Sequence, residues 1–175
     1  MRLFIGIPVP ASPAYAKMGD ELQALGGRGV PDGPWHITLR FLGEMLEPEP
    51  PIDALNQALS GRPALPCVVE GLGAFPSAKA ARVAWAGVRA PGIEAVAQAV
   101  EDATRSMGDP PEHRRFVAHV TLARFSKPAD LRSLADAHRD TLFADGRLDR
   151  VVLFRSRLGP GAPSYEPIHV ARLGA

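Results

Sequence analysis

Short apolar segments alternate with amphipathic ones along the chain, and this pattern predicts an alternation of strands and helices. The first segment, Arg2 to Ile7, is apolar and β-branched and predicts a buried strand. Ser12 and Pro13 are typical of a helix start, and Gly26 and Gly27 of its end. Between them the apolar positions recur at helical spacing: Tyr15, Met18, Leu22 and Leu25.

The later segments continue the alternation. In the first half, strands predicted over Trp35 to Leu42 and Leu65 to Leu72 flank a helix over Pro50 to Leu59. In the second half the predicted strands are Arg82 to Val88, Phe116 to Phe125 and Leu148 to Arg155, and the predicted helices are Ile93 to Met107 and Ala129 to His138. The order βαβαβ is therefore predicted twice.

The spacing of matching residues indicates an internal duplication. His36 and His119 are 83 residues apart, and the same shift moves Val68-Val69 onto Val151-Val152. We expect one domain over 1–175, with repeats over about 1–80 and 81–170. The predicted fold class is α+β: two pseudo-symmetric lobes, each with an antiparallel or mixed sheet, around a central cleft.

Composition and charge exclude several classes of protein. The chain has 175 residues, 46% of them hydrophobic and 22% charged, which is typical of a globular domain rather than a membrane or disordered protein. A net charge of +1 means that any anionic partner must be held by locally placed charges. Cys67 is the single cysteine, and its apolar neighbours predict a core residue rather than a reactive thiol. Pro8 interrupts the apolar start well short of an export signal or a membrane span, and a single cysteine fits a reducing compartment, so we expect a cytoplasmic protein with no membrane association. We also expect a monomer.

The chemical signal is a tetrapeptide that occurs twice. The sequence reads His36-Ile37-Thr38-Leu39 in one predicted strand and His119-Val120-Thr121-Leu122 in the other. Five histidines and four threonines in a chain of this length predict only about 0.1 His-x-Thr by chance. Because residues two apart in a strand share a face, each histidine projects together with its threonine.

Two imidazoles that converge on a cleft can act as an acid and base pair at neutral pH. Threonine hydroxyls beside them can donate hydrogen bonds to phosphate oxygens, an arrangement that suits phosphodiester cleavage. A zinc site would need a third ligand, for which no spacing pattern is present, and the other alternative is a structural role for both histidines. His113, His138 and His169 lack the partnered threonine and are interpreted as surface or loop residues.

The two motifs resemble the paired HxTx motifs of the 2H phosphoesterase superfamily. Within it the chain is most similar to the RNA 2′,3′-cyclic phosphodiesterases of bacteria and archaea, also called 2′-5′ RNA ligases. The similarity extends over nearly the whole length: Arg2 to Ile5, His36 to Glu44, Gly71 to Pro76, Arg82 to Val88 and Ser156 to Gly161.

The resemblance implies the roles of the site residues. His36 is expected to be the general acid that protonates the leaving 3′ oxygen, and His119 the general base that activates water, which leaves a 2′-phosphomonoester on RNA. Thr38 and Thr121 are expected to bind the phosphate, with Arg124 as a further ligand. No metal or cofactor is implied, and reversible 2′-5′ RNA ligation is a further activity that the resemblance suggests.

Strand parity modifies one of these assignments. Strict alternation puts Arg124 on the face opposite His119, so its role requires a bulge or a strand end near Ala123. By the same parity Arg40 shares the face of His36 and is the alternative phosphate ligand.

The sequence also departs from relatives, which commonly have Arg-Pro before the second histidine, where Val117-Ala118 stands here.

Two other functions remain open. One is a phosphodiesterase acting on small cyclic nucleotides, and the other is a non-catalytic RNA-binding module. In the second case Trp35, Phe41 or Phe75 would stack a base.

Overall fold

The predicted alternation of strands and helices is present in the computed structural model, which describes residues 1–30, 34–160 and 164–174. Gly161, the last residue of the segment from Ser156 that resembles the family, lies outside the described residues. In chain order the described elements are β1 (Arg2–Pro8), α1 (Pro13–Ala24), β2 (Arg28–Gly29), β3 (His36–Glu44), α2 (Glu49–Leu59), β4 (Leu65–Phe75), β5 (Ala81–Arg89), α3 (Ile93–Thr104), β6 (His119–Ala129), α4 (Arg132–Ala137), β7 (Leu142–Leu148), β8 (Arg150–Arg157) and β9 (Ser164–Arg172).

The first helix follows its sequence signals closely. The Ser12 hydroxyl accepts a hydrogen bond from the Ala14 backbone N–H at 3.2 Å, which satisfies one free donor at the helix start. Tyr15, Met18 and Leu22 are buried, as predicted. Leu25 was expected to face inward, but it lies beyond the last helical residue and is 52% exposed.

Several boundaries in the second half differ from the prediction. Helix α4 is shorter than expected because β6 extends to Ala129, which pairs with Ala81 of β5. The strand predicted from Leu148 to Arg155 corresponds to β8, Arg150–Arg157, and only its first residue belongs to β7. The two-residue β2 and the edge strands β7 and β9 have no counterpart in the prediction. Strand β9 contains Pro167 and several exposed residues, so its hydrophobic pattern is weak.

The strands form one antiparallel sheet with a mirrored order. The path is β7-β4-β5-β6-β3-β1-β8-β9, and β2 pairs with β6 beside it. Reading outward from β6 and β3 at the centre, β5 matches β1 and β4 matches β8. This arrangement confirms the predicted α+β class with pseudo-symmetric halves.

The two repeats exchange strands. Strand β4 comes from the first repeat but pairs with β5 of the second, whereas β8 comes from the second repeat and pairs with β1 of the first. Each lobe is therefore built from both halves of the sequence, so neither repeat forms a complete lobe alone.

The helices cover the core face of the central strands. Helix α1 contacts β6 and β7, and α3 contacts α2 and β3. Ile37 of β3 and Val120 of β6 are fully buried between them. The other face of the two central strands therefore remains for a site. Among the described residues, no helix combines the length and the apolar character that crossing a membrane requires.

Candidate active site

The two His-x-Thr-Leu motifs lie side by side at the centre of the sheet. Ile37 pairs with Val120 in antiparallel register, and both side chains point into the core. Because side chains alternate along a strand, the histidine and threonine that flank each of them point to the opposite face. In this register each motif histidine lies across from the threonine of the other motif.

Both imidazoles are held in the same way. The Nδ1–H of His36 donates to the carbonyl oxygen of Pro34 at 2.9 Å, and the Nδ1–H of His119 donates to that of Val117 at 2.7 Å. A carbonyl oxygen only accepts, so the hydrogen of each neutral ring is on Nδ1. Nε2 of each ring is then the nitrogen that can accept or donate a proton towards a substrate.

Aromatic rings surround the imidazole of His36. Its ring centroid lies 5.2 Å from that of Phe4, and 5.5 Å from those of Phe154 and Tyr165. Gly6 on β1 leaves room for this ring, since a Cβ there would lie 3.2 Å from the His36 Cδ2 atom. These contacts restrict the ring from three sides.

The imidazole of His119 has a comparable aromatic support. The Phe75 ring is perpendicular to it with centroids 5.1 Å apart, and the Trp85 ring lies at 5.9 Å. Gly73 allows this packing, because a Cβ there would overlap the indole of Trp85. The sequence reasoning did not find these supporting residues, since their role arises only from pairing of strands distant in the chain.

Burial lowers the pKa of both imidazoles below the ordinary value for histidine. For His36 the carbonyl of Pro34 acts in the opposite direction, and the charge of His119 lowers the pKa further. For His119 the carbonyl of Val117 raises the pKa and the charge of Arg124 lowers it. On both rings burial is the largest cause and outweighs the hydrogen bond to the backbone carbonyl.

A cleft of about 460 Å³ lies on this face of the sheet. His36, Thr38, Thr121 and Arg124 line it, whereas His119 does not itself belong to the lining. The other lining residues are Arg2, Leu3, Phe4, Gly29, Val30, Pro34, Trp35, Phe41, Gly43, Asp109, Ser156, Leu158 and Tyr165. Of the three aromatic residues considered for base stacking, Trp35 and Phe41 therefore line the cleft and Phe75 does not.

A bulge in β6 turns Arg124 towards the site. Ala84 pairs with Ala123 and Trp85 with Thr121, so Leu122 is the extra residue between them. One extra residue reverses the alternation of faces. Arg124 consequently lies on the same side of the sheet as Thr121. The bulge is next to Ala123, where the expected role of Arg124 requires one.

A matching bulge in β3 turns Arg40 away from the site. Ile5 pairs with Arg40 and Gly6 with Thr38, so Leu39 is the extra residue. The Arg40 side chain is on the core face and only 6% exposed. The parity argument that made Arg40 a phosphate ligand is therefore wrong, because it assumed an uninterrupted strand.

The guanidinium of Arg40 instead ties the end of α3 to the sheet. It donates to the backbone carbonyl oxygens of Thr104, Met107 and Asp109 at 3.3, 3.0 and 2.8 Å. It also donates to the Thr104 hydroxyl and to the Phe41 carbonyl oxygen. The side chain is structural in this position.

The remaining histidines lie outside the cleft lining. His113 is exposed, and His138 at the end of α4 is paired through Nδ1 with the Thr141 hydroxyl. His169 bonds Asn56 and lies on strand β9 rather than in a loop. Among the described residues, no three or more His, Cys, Asp or Glu side chains are grouped so that they could hold a metal ion.

Cys67 is 3% exposed, which confirms the prediction of a core residue.

An α+β fold with an antiparallel sheet, and with one His-x-Thr motif on each of the two central strands, defines the class of two-histidine phosphoesterases. The family model for the 2′-5′ RNA ligase superfamily matches residues 9–160, and the chain belongs to this family.

Named relatives agree with this assignment. An RNA 2′,3′-cyclic phosphodiesterase of Aeropyrum pernix is 37% identical over 161 residues, which cover 88% of this chain and 92% of the relative. The enzyme of the same name from Methanocaldococcus jannaschii is 28% identical over 173 residues, covering 96% and 98%. These relatives confirm the predicted family and its enzyme class, a cyclic phosphodiesterase.

Solved structures show the same fold. A Thermus thermophilus protein superposes with a TM-score of 0.80 at 29% identity, over 99% of this chain and 98% of that protein. Escherichia coli LigT complexed with 3′-AMP has a TM-score of 0.71 at 23% identity, with coverage of 99% and 98%. The second comparison concerns the fold alone.

Proposed function

We propose that the protein hydrolyses 2′,3′-cyclic phosphate ends of RNA to 2′-phosphomonoesters by acid and base catalysis with two histidines and no metal ion. The proposal rests on the identical support of the two motif imidazoles, each donating through Nδ1 to the carbonyl two residues before it. Relatives named RNA 2′,3′-cyclic phosphodiesterase support the choice of substrate.

In this mechanism His119 acts as the base and His36 as the acid. Nε2 of His119 takes a proton from water as the water oxygen bonds to phosphorus. The bond from phosphorus to O3′ breaks, and Nε2 of His36 gives its proton to O3′. His119 then releases one proton to solvent and His36 takes one up, which restores the starting state of both rings.

Thr38, Thr121 and Arg124 are the proposed phosphate ligands. Each lines the cleft and faces the side of the sheet to which the imidazoles point. Their hydroxyl and guanidinium groups donate to the non-bridging oxygens, which carry the negative charge that grows as water attacks. Arg40 has no part in this role.

The first test replaces His36 and His119 separately by alanine. Turnover of a short RNA ending in a 2′,3′-cyclic phosphate should fall by about 10²- to 10⁴-fold in each variant, the usual contribution of one acid or base. His113→Ala, at an exposed histidine outside the cleft lining, is the matched control. Circular dichroism should show folded protein throughout. Wild-type activity in either single variant would contradict the mechanism.

A second test addresses the metal and the leaving oxygen. Turnover should survive EDTA, and the product should carry its phosphate on O2′ rather than O3′, as read by ³¹P NMR. Loss of activity in EDTA with recovery on adding zinc would contradict metal-free catalysis, and a 3′-phosphate would reverse the assignment of the leaving oxygen.

We also propose that the chain acts as a monomer in the cytoplasm. All proposed acid, base and phosphate-binding groups come from one chain, so catalysis requires no second copy. A free thiol at Cys67 suits a reducing compartment. Size-exclusion chromatography with light scattering tests the monomer: a stable dimer at assay concentrations would contradict it.

A further inference from the structure

The rim of the cleft carries an unusual pair of like charges. Arg28 on the two-residue strand β2 is the direct antiparallel partner of Arg124 on β6. Both side chains are exposed. Residues that face each other in this way have Cβ atoms about 4.5 to 5.5 Å apart, and like charges at that distance destabilise the pair.

Among the described residues, Asp109 is the only carboxylate that lines the cleft, and it forms no ion pair with either arginine. Neither Arg28 nor Arg124 has an ion-pair partner elsewhere in the described part of the chain. The neighbour of Arg124 on the other side is Val83 of β5, which carries no charge. The net charge of the whole chain is only +1, so this local concentration of positive charge does not follow from a generally basic surface.

The pair lies at the edge of the cleft, next to the proposed phosphate site. Arg124 lines the cleft, and its charge reaches the imidazole of His119. Arg28 is one strand farther out. Next to it, Gly29 and Val30 also line the cleft, whereas Arg28 itself is not part of the lining. The exposed Arg28 side chain therefore lies at the edge of the cleft, next to Arg124.

We propose that Arg28 binds the phosphodiester on the 5′ side of the terminal nucleotide, next to Arg124 at the reacting phosphate. The inference rests on the proposed function and deepens it, because it names a separate subsite for the phosphodiester that precedes the reacting end. An anion between two guanidinium groups removes their repulsion. A cyclic mononucleotide has only the reacting phosphate and leaves Arg28 without a ligand.

The test compares three substrates that differ at O5′ of the same nucleoside. They are adenosine 2′,3′-cyclic phosphate, its 5′-phosphorylated form, and the dinucleotide ApA ending in a 2′,3′-cyclic phosphate. Arg28→Ala should lower kcat/KM about tenfold for the dinucleotide and for the 5′-phosphorylated mononucleotide. For the unphosphorylated mononucleotide, kcat/KM should change less than about twofold.

Matched variants and salt give independent readouts. Arg28→Lys should keep most of the activity on the dinucleotide, and Arg139→Ala, at an exposed arginine outside the cleft lining, should have no effect. With Arg28→Ala, kcat/KM for the dinucleotide should fall less steeply with rising salt than in the wild type, because one exposed charge contact has been lost.

Three outcomes would overturn the inference. One is equal loss on all three substrates, which would make Arg28 a ligand of the reacting phosphate or a structural residue. Another is no loss on any of them. The third is loss on the dinucleotide alone, which would mean that the second nucleoside is contacted rather than a phosphate.

Failure of the proposed function has a different signature. It would appear as absent turnover of all three substrates by the wild-type protein. In that case calorimetric binding of ApA 2′-phosphate and of adenosine 2′-phosphate decides the inference. Weaker binding of the first ligand alone in Arg28→Ala supports it, and equal binding in variant and wild type contradicts it.

Discussion

Replacing Arg40 by methionine should destabilise the protein strongly without removing a group from the catalytic site. The guanidinium is 6% exposed and donates to the carbonyl oxygens of Met107 and Asp109 at 3.0 and 2.8 Å, with longer bonds to Thr104. Methionine fills a similar volume but donates nothing, so these acceptors lose their partner.

The size of the effect follows from the two short bonds. Each hydrogen bond from a charged donor is worth about 1.5 to 3 kcal/mol, and relief of the buried charge offsets part of the loss. We therefore expect the free energy of unfolding to fall by about 3 to 5 kcal/mol. For a chain of this size that lowers Tm by about 6 to 20 °C.

Urea unfolding followed by circular dichroism measures this loss, with kcat on a cyclic phosphate measured well below Tm. Arg105→Met is the control, since Arg105 is exposed and its pair with Asp102 lies at the surface. The control should shift the free energy of unfolding by less than about 0.5 kcal/mol. If Arg40→Met kept full stability and lost turnover, Arg40 would be a phosphate ligand and the structural argument would be refuted.

Three further predictions concern the site. Gly6→Ala puts a Cβ 2.9 Å from the Ile37 carbonyl oxygen and 3.2 Å from the His36 Cδ2 atom. It should displace β3 and the imidazole and lower kcat about tenfold or more, whereas Gly19→Ala, where a Cβ meets nothing within 4 Å, should not; equal kinetics would contradict the steric argument. Burial lowers the pKa of His36 and His119, so the unfolded chain binds more protons and stability falls as pH drops through about 6.5. In the variant with both His36→Asn and His119→Asn, the free energy of unfolding in urea should depend less on pH between about pH 7 and 5 than in the wild type. Parallel pH curves for variant and wild type would exclude this linkage. Phe41→Ala removes a half-exposed ring from the cleft and should raise KM for a nucleotide about tenfold with little change in kcat, while an unchanged KM would rule out base stacking there.

The features that could be read from the sequence are those with local causes. The cap at Ser12 depends on a hydroxyl two residues before a free N–H, and the buried face of α1 depends on helical periodicity within one segment. The repeated His-x-Thr-Leu motif predicted both central strands and the family, because a rare pattern at matched positions needs no knowledge of the fold. Even so, the partners that support each imidazole remained unknown.

Every feature that depends on which strand lies beside which emerged only from the folded chain. One extra residue at Leu39 turned Arg40 into the core, and one at Leu122 turned Arg124 towards the cleft. Such a bulge is visible only against the register of the neighbouring strand, since the two-residue alternation of a single strand contains no sign of it. The same reason applies to the exchange of β4 and β8 between the repeats and to the meeting of Arg28 with Arg124. The order of residues along the chain specified which side chains carry the chemistry, and strand pairing specified which of them share a face.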